Sequence, residues 1–477
     1  MLFNSFPFIF LFLPIVTVVY ALARRYAGQR IAQAFLLVAS FFFYGYAKPS
    51  YVPLLAGSIL FNWAIATWMG SAQNHFPAGA SRRKMFLWIG LAADIALLCS
   101  FKYFNFFLQG FAFLNAQRLN LPNWAFPLGI SFFTLTQVMY LVDTYQGLNA
   151  PNTLFDHATL VSFFPYVSSG PLVRSRAVVP QFKGSTMPVG RFDLACRGLY
   201  LFSLGLTKKV VLADSFARIA DAGFGSVQSF STFEAWVFSL SYTFQIYFDF
   251  SGYSDMAVGC AWMLGIDIPQ NFNAPYRSKS ISEFWRRWHI SLSNFITDYL
   301  YTPILRSMGK ATVMTSVIAI LIAMAIAGLW HGPAWTFVIF GVLHGCALAV
   351  NQVWRRRKMR LPAWLGWLLT FAFVNISFVF FRSANVSSAL RMLNAMLPHA
   401  HLLGAAGLKG VLPITPYLVL RPVAIGIVLA FFFKTAQQFA ENFRPTHVTA
   451  FATATLILLC MFFMNSTAAK EFVYFAF

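Results

Sequence analysis

Residues 312–353 read TVMTSVIAILIAMAIAGLWHGPAWTFVIFGVLHGCALAVNQV. Two apolar runs, Thr312 to Leu329 and Phe337 to Val353, flank a short polar interruption. A helix needs roughly 20 apolar residues to cross the hydrocarbon layer of a bilayer, and each run approaches that length. Transmembrane strands would instead alternate apolar and polar residues over about ten positions. These runs are continuously apolar, so they read as helices, the only other structure that satisfies its own backbone groups in lipid. Gly332-Pro333 breaks the first helix, and Pro333 can open the second.

The same reading extends in both directions. Of 477 residues 58% are apolar and only 10% charged, whereas a soluble chain carries about a quarter charged residues. Mean hydropathy is +0.64. Apolar windows recur at Phe6 to Leu22, 31–46, Leu54 to Met69, 86–107, 124–142, 195–213, 233–248, 254–266, 363–381, 418–433 and 448–464. The expected fold is an all-α integral membrane protein of roughly 10–13 hydrophobic helices, some of them re-entrant or interfacial. No polar stretch is long enough to bury a core of its own, so residues 1–477 are expected to form a single polytopic membrane domain.

Charge then orients the chain. The first apolar run begins almost at Met1 with no basic residue ahead of it, which predicts an uncleaved first helix. The clusters Arg24 to Arg30, Arg82-Arg83-Lys84 and Arg355-Arg356-Arg357-Lys358 are expected on the cytoplasmic side, and the N-terminus outside. A net charge of +21 could suggest nucleic acid. Its scatter through short loops instead fits positive-inside topology and contact with anionic membrane lipids, so no nucleic-acid partner is expected.

The five cysteines, at 99, 196, 260, 346 and 460, lie singly in apolar runs and read as small core residues. No phosphate loop, dinucleotide fingerprint, G-x-S-x-G elbow or H-E-x-x-H helix is present, and no metal site or tightly bound cofactor is expected.

The informative places are polar patches between apolar runs. The densest begins with Asp249-Phe250-Ser251-Gly252-Tyr253-Ser254-Asp255 and continues, after an apolar run, with Pro269-Gln270-Asn271-Phe272-Asn273-Ala274-Pro275-Tyr276-Arg277, which is turn chemistry. Ser280-Ile281-Ser282-Glu283 is a capping-box pattern announcing a helix. In that helix Ile281, Phe284, Trp285, Trp288, Leu292, Phe295, Ile296 and Tyr299 form one stripe, with Glu283, Arg286, Arg287, Asn294 and Asp298 opposite. Four ionised groups at the bilayer centre would cost about 10 kcal/mol together on insertion scales, so the helix is expected at an interface or beside a wet cavity. His289 falls at the seam between the faces, where it could line a tunnel or simply hydrogen-bond a neighbouring carbonyl. Glu283 reads as a capping residue paired with Arg287.

The second patch is Gly328-Leu329-Trp330-His331-Gly332-Pro333-Ala334-Trp335. A backbone break inside a membrane is tolerated only against protein or a cavity, which would put His331 at an internal chamber. Alternatively, His331 is an interfacial loop residue between two belt tryptophans. His344 reads as a packed or pore-lining histidine.

Four strings, Phe248 to Asp255, Asn271 to Tyr276, Glu283 to Leu292 and Gly328 to Gly332, resemble those of the membrane-bound O-acyltransferases. The similarity is nearest to the alginate O-acetyltransferase branch and more distant to teichoic-acid D-alanyl transfer. It extends to Pro127 to Phe133, to Gly170 to Arg174 and to the final Glu471 to Phe477. The short connection Thr302 to Lys310 departs from the longer glycine-rich segment usual in the alginate branch.

The resemblance implies a bacterial inner-membrane, multi-pass acetyltransferase whose helices surround a central tunnel. Its donor would be a cytoplasmic acyl thioester, acetyl-CoA, and its outer partner an SGNH-type protein that completes transfer to a polysaccharide. His331 and His289 match the tunnel histidines and are the candidate catalytic residues. Trp330, Asp249, Ser251, Tyr253, Asn273, Arg286, Trp288 and His344 are candidate substrate-binding or tunnel-lining residues. The same resemblance suggests that the aromatic tail docks near the tunnel exit or a partner, whereas its aromatic residues alone would read as interfacial anchors. The competing reading is a transporter or channel that moves an acyl carrier or lipid without chemistry.

Overall fold

The computed structural model describes the chain except residues 47, 72–78, 109–126, 185–190, 226–230, 399–415, 467–471 and 474–477. Helices dominate, and no strand occurs among the described residues. Seven described helices are long and apolar enough to cross a membrane: Phe8–Tyr26, Pro49–Gly70, Ser81–Lys102, Val313–His331, Trp335–Arg356, Ala363–Arg382 and His447–Asn465. Other apolar windows of the sequence form shorter or more polar helices, such as Gln29–Gly45, Ile130–Tyr145 and Arg191–Thr207. The protein is a multi-pass helical membrane protein.

The described residues gather into two compact units. One comprises Met1–Phe202, Met256–Pro269 and Phe443–Thr449. Its centre is a cluster of phenylalanine rings, with Phe12 edge-on to Phe164 at 5.2 Å and Phe8 5.9 Å from Phe43. A fully buried carboxylate, Asp156, ties three segments together by accepting from Arg30 and Gln33, each at 3.1 Å, and pairing with Lys183 at 3.1 Å.

The other unit comprises Ser203–Asp255, Gln270–Asn442 and Ala450–Phe477, and it holds every candidate site residue. Its backbone is the hairpin of Val313–His331 and Trp335–Arg356. Gly328 and Gly341 face each other across that hairpin, and a Cβ on Gly328 would stand 2.9 Å from the Gly341 Cα. Only glycine allows this approach, which brings the two helices into backbone contact.

Two expectations change. The polar string Asp249 to Asp255 separates two apolar windows in the sequence, yet it lies inside one continuous helix, Thr232–Met263. The helix survives because both acids are paired: Asp249 with Lys209 at 2.8 Å, and Asp255 with Lys208 at 2.6 Å. Gly252 permits the approach, since a Cβ there would meet the Gly205 carbonyl at 2.7 Å.

Second, the amphipathic helix expected from Ser280 to Tyr299 is interrupted. It runs Ile281–Trp285, breaks, resumes as Ile290–Phe295 and passes into a π-helical turn, Ile296–Tyr301. The capping residue behaves as its sequence implies, with Ser280 accepting from the Glu283 amide at 3.2 Å and Glu283 pairing with Arg287 at 2.8 Å.

Candidate active site

The break in the Ile281 to Phe295 segment falls at His289, whose φ of 43° is left-handed. Such a conformation is uncommon outside glycine, though histidine and asparagine adopt it more readily than most residues. Ala274, at φ 45°, is a second case, at the start of the short turn Pro275–Arg277 alongside. Backbone hydrogen bonds lock the two segments together: Asn273 donates to the Arg287 carbonyl at 2.9 Å, and Ile290 to the Asn271 carbonyl at 3.0 Å. The Asn271 side chain accepts from the Ser291 amide at 3.1 Å and from its hydroxyl at 2.7 Å, and its Oδ1 lies 3.4 Å from His289 Nδ1. Strained conformations that the surroundings over-determine concentrate at functional sites, and this knot holds one of the two candidate histidines.

His289 is completely buried, and the Phe250 ring stands edge-on to it at 4.6 Å. Burial disfavours the imidazolium and pushes its pKa down to about 3, so the ring is neutral at physiological pH.

His331 is the last residue of its helix, and Gly332 continues in extended backbone at φ −169°. Its side chain is 5% exposed among Trp330 at 5.1 Å, Phe381 at 5.2 Å and Phe340 at 6.1 Å. This is an interior position, not the interfacial loop that was the alternative reading. An unbroken aromatic path leads from it to the His289 knot: Phe340 stacks on Phe378 at 6.0 Å, and Phe378 lies 5.3 Å from Trp288. The two histidines therefore share one aromatic cluster.

A cavity of about 610 Å³ opens at the far end of the same hairpin, where Ala323, Met324, Leu348, Asn351, Gln352, Arg355 and Arg356 meet Trp285 and Arg286. Three arginines line it, and none of its lining residues is acidic. Of the candidate binding residues only Arg286 lies in this wall. Trp288 and Trp330 belong to the aromatic cluster, and Asn273 to the backbone knot. His344 is fully buried between Trp285 and Ser377, its ring 4.5 Å from Phe340.

The remaining candidates gather around the C-terminal segment. Asp249, 1% exposed, receives Lys209 on one oxygen and the Val473 amide, at 2.7 Å, on the other. Tyr253 stacks on Phe472 at 4.6 Å, and Phe250 lies 5.4 Å from the same ring. Ser251 is 3.5 Å from Lys208. Phe472 and Val473 are thus docked against the helix that carries the Asp249 to Asp255 string; the last four residues lie outside the described part.

Sequence reading missed Lys208, Lys209, Asn271, Trp285 and Ser377 as members of the site. A signal existed for the lysines, which interrupt the apolar run 195–213. Ionisable residues within such a run call for a partner.

Comparison with known proteins places this geometry. The profile of MBOAT, the membrane-bound O-acyltransferase family, matches residues 123–390, a span that includes both histidines and the cavity. A peptidoglycan O-acetyltransferase of Helicobacter pylori is 40% identical over 427 residues, covering 83% of this chain and 80% of its own length. A protein named probable alginate O-acetylase AlgI, from Pseudomonas putida, is 37% identical over 460 residues, or 94% of this chain and 90% of its own. A teichoic acid D-alanyltransferase of Bacillus subtilis is 29% identical over 269 residues, 53% of this chain and 68% of its own. The chain belongs to the membrane-bound O-acyltransferase family. It is an O-acyltransferase, and its relatives include membrane proteins named for acetyl transfer to alginate and peptidoglycan.

Proposed function

We propose that this protein takes an acetyl group from a cytoplasmic thioester, acetyl-CoA, and passes it across the bacterial inner membrane for O-acetylation of an exopolysaccharide. An outer SGNH-type partner would complete the transfer to sugar hydroxyls. The observation that carries this reading is the polarity of one hairpin: arginines line a cavity at one end, and His331 is buried at the other. The basic cluster Arg355 to Lys358, by the positive-inside rule, supports a cytoplasmic position for the cavity end.

Distance along the hairpin restricts the donor. Phe340 is level with His331, and fifteen residues separate it from Arg355, or about 22 Å at the rise of an α-helix. An anionic group held at Arg355 reaches His331 only if a long, thin arm joins it to the reactive carbonyl. Coenzyme A thioesters have that shape, whereas a compact donor such as acetyl phosphate does not.

In this reading His331 accepts the proton of the attacking hydroxyl as its oxygen bonds to the acyl carbon; the acyl carbon–sulfur bond breaks, and the thiolate leaves and takes up a proton in turn. Such general-base assistance is worth roughly 10²–10⁴ in rate. His289 orients donor or acceptor within the same aromatic cluster. A conduit without chemistry would account for the helices equally well, but not for membership of an O-acyltransferase family.

The test is acetyl transfer from labelled acetyl-CoA in membranes containing the outer partner, at matched protein levels. His331→Ala removes a polar side chain at a helix end and is expected to insert normally while transfer falls by roughly 10²–10⁴. Transfer at the wild-type rate would reject His331 as the general base.

A further inference from the structure

We propose that His344 is a positioning residue: it fixes the Trp285 indole as a wall of the arginine-lined cavity and so sets the affinity for the donor. The proposal rests on the assignment of that cavity to the donor.

His344 does not itself line the cavity. It is fully buried, with Phe340 at 4.5 Å and Phe373 at 5.1 Å against its ring. Both of its nitrogens are engaged. Trp285 Nε1–H donates to Nδ1 at 3.2 Å, and Nε2 lies 2.9 Å from Ser377 Oγ. The Ser377 hydroxyl hydrogen is spent on the Val374 carbonyl at 2.8 Å, so Ser377 accepts from His344. An indole nitrogen can only donate, so Nδ1 must be the acceptor. The two constraints agree on one neutral tautomer, with its proton on Nε2.

The chain of hydrogen bonds joins three elements: the short Ile281–Trp285 helix, the hairpin helix Trp335–Arg356 and the next helix, Ala363–Arg382. At the cavity the chain ends in the indole. Trp285 lines the cavity together with Leu348, which stands one helical turn beyond His344 on the same face. Arg286 follows Trp285 directly, so any rotation of the short helix that frees the indole also moves an arginine of the cavity.

The experiment measures binding of CoA to purified, detergent-solubilised full-length protein, together with the kcat of acetyl transfer. His344→Phe fills the same space without an acceptor. It is expected to raise the Kd for CoA about three- to tenfold, the equivalent of one hydrogen bond, with kcat at saturating donor unchanged. His344→Gln supplies an amide acceptor and donor and should restore affinity to within about twofold. In a Trp285→Phe background the indole donor is already gone, so His344→Phe should weaken CoA binding no further. Ser377→Ala removes a single hydroxyl, so it tests the same chain should the phenylalanine variant fail to fold; it should raise the Kd in the same direction. An unchanged Kd in His344→Phe or Ser377→Ala, or additive losses in the double variant, overturns the positioning role while the donor assignment stands. Absence of CoA binding by the wild-type protein overturns both.

Discussion

Lys209 is the cation on which a buried part of the second unit depends. It lies 2.8 Å from Asp249 and 2.9 Å from Asp214, with its side chain 4% exposed. Lys209→Met keeps most of the volume and leaves two carboxylates without their shared counter-charge. Removing one member of a buried ion pair costs about 3–5 kcal/mol, because the remaining charge is neither solvated nor paired. Set against native stabilities of about 5–15 kcal/mol, that removes a large share of the margin and raises the unfolded-to-folded ratio by roughly 10² or more. The cost should be largely reversible by a second change. Asp249→Asn neutralises the more buried of the two carboxylates, and its amide oxygen can still accept from the Val473 amide. The double variant is therefore expected to regain more than half of the lost stability. Equilibrium unfolding of detergent-solubilised protein measures this directly. The reasoning fails if Lys209→Met lies within about 0.5 kcal/mol of wild type, the range of ordinary surface substitutions, or if adding Asp249→Asn lowers stability further.

Further outcomes follow from the same geometry. Because burial holds the His289 pKa near 3, against about 6.5 when unfolded, its contribution is fully present above pH 6.5 and is lost as pH falls from 6.5 towards 3. His289→Asn, which tolerates the left-handed backbone, should thus unfold less steeply with acid than wild type over that window, and parallel acid profiles would reject the assignment. Phe472→Ala removes a buried ring stacked on Tyr253, at a local cost of about 3–5 kcal/mol. Acetyl transfer should fall while the protein remains inserted, and full activity would reduce the tail to an anchor. A cysteine placed beside Arg356 should resist an impermeant thiol reagent applied to intact cells, and its labelling from outside would invert the proposed orientation.

The helical membrane class was legible because it depends on continuous apolarity, a property of composition over about 20 residues. The break before Trp335 was legible for a different reason, since Gly332-Pro333 acts on its own backbone and needs no distant partner. What escaped was whatever depended on residues far away in the chain. The Asp249 to Asp255 string looked like a gap between helices because its counter-charges, Lys208 and Lys209, lie some forty positions earlier in an apolar run. With both carboxylates paired, the helix continues through them. The Ile281 to Tyr299 stripe kept helical periodicity, yet the helix breaks at His289, because Asn271 and Asn273 offer backbone and side-chain hydrogen bonds that an uninterrupted helix could not accept. Periodicity reports which face is apolar; it does not report whether a neighbouring segment will compete for the backbone. His344 shows the same limit at the level of a side chain. Its position among apolar residues marked it as packed or pore-lining. Only the partners on two other helices, Trp285 and Ser377, distinguish a ring that faces the cavity from one that holds part of the cavity wall in place.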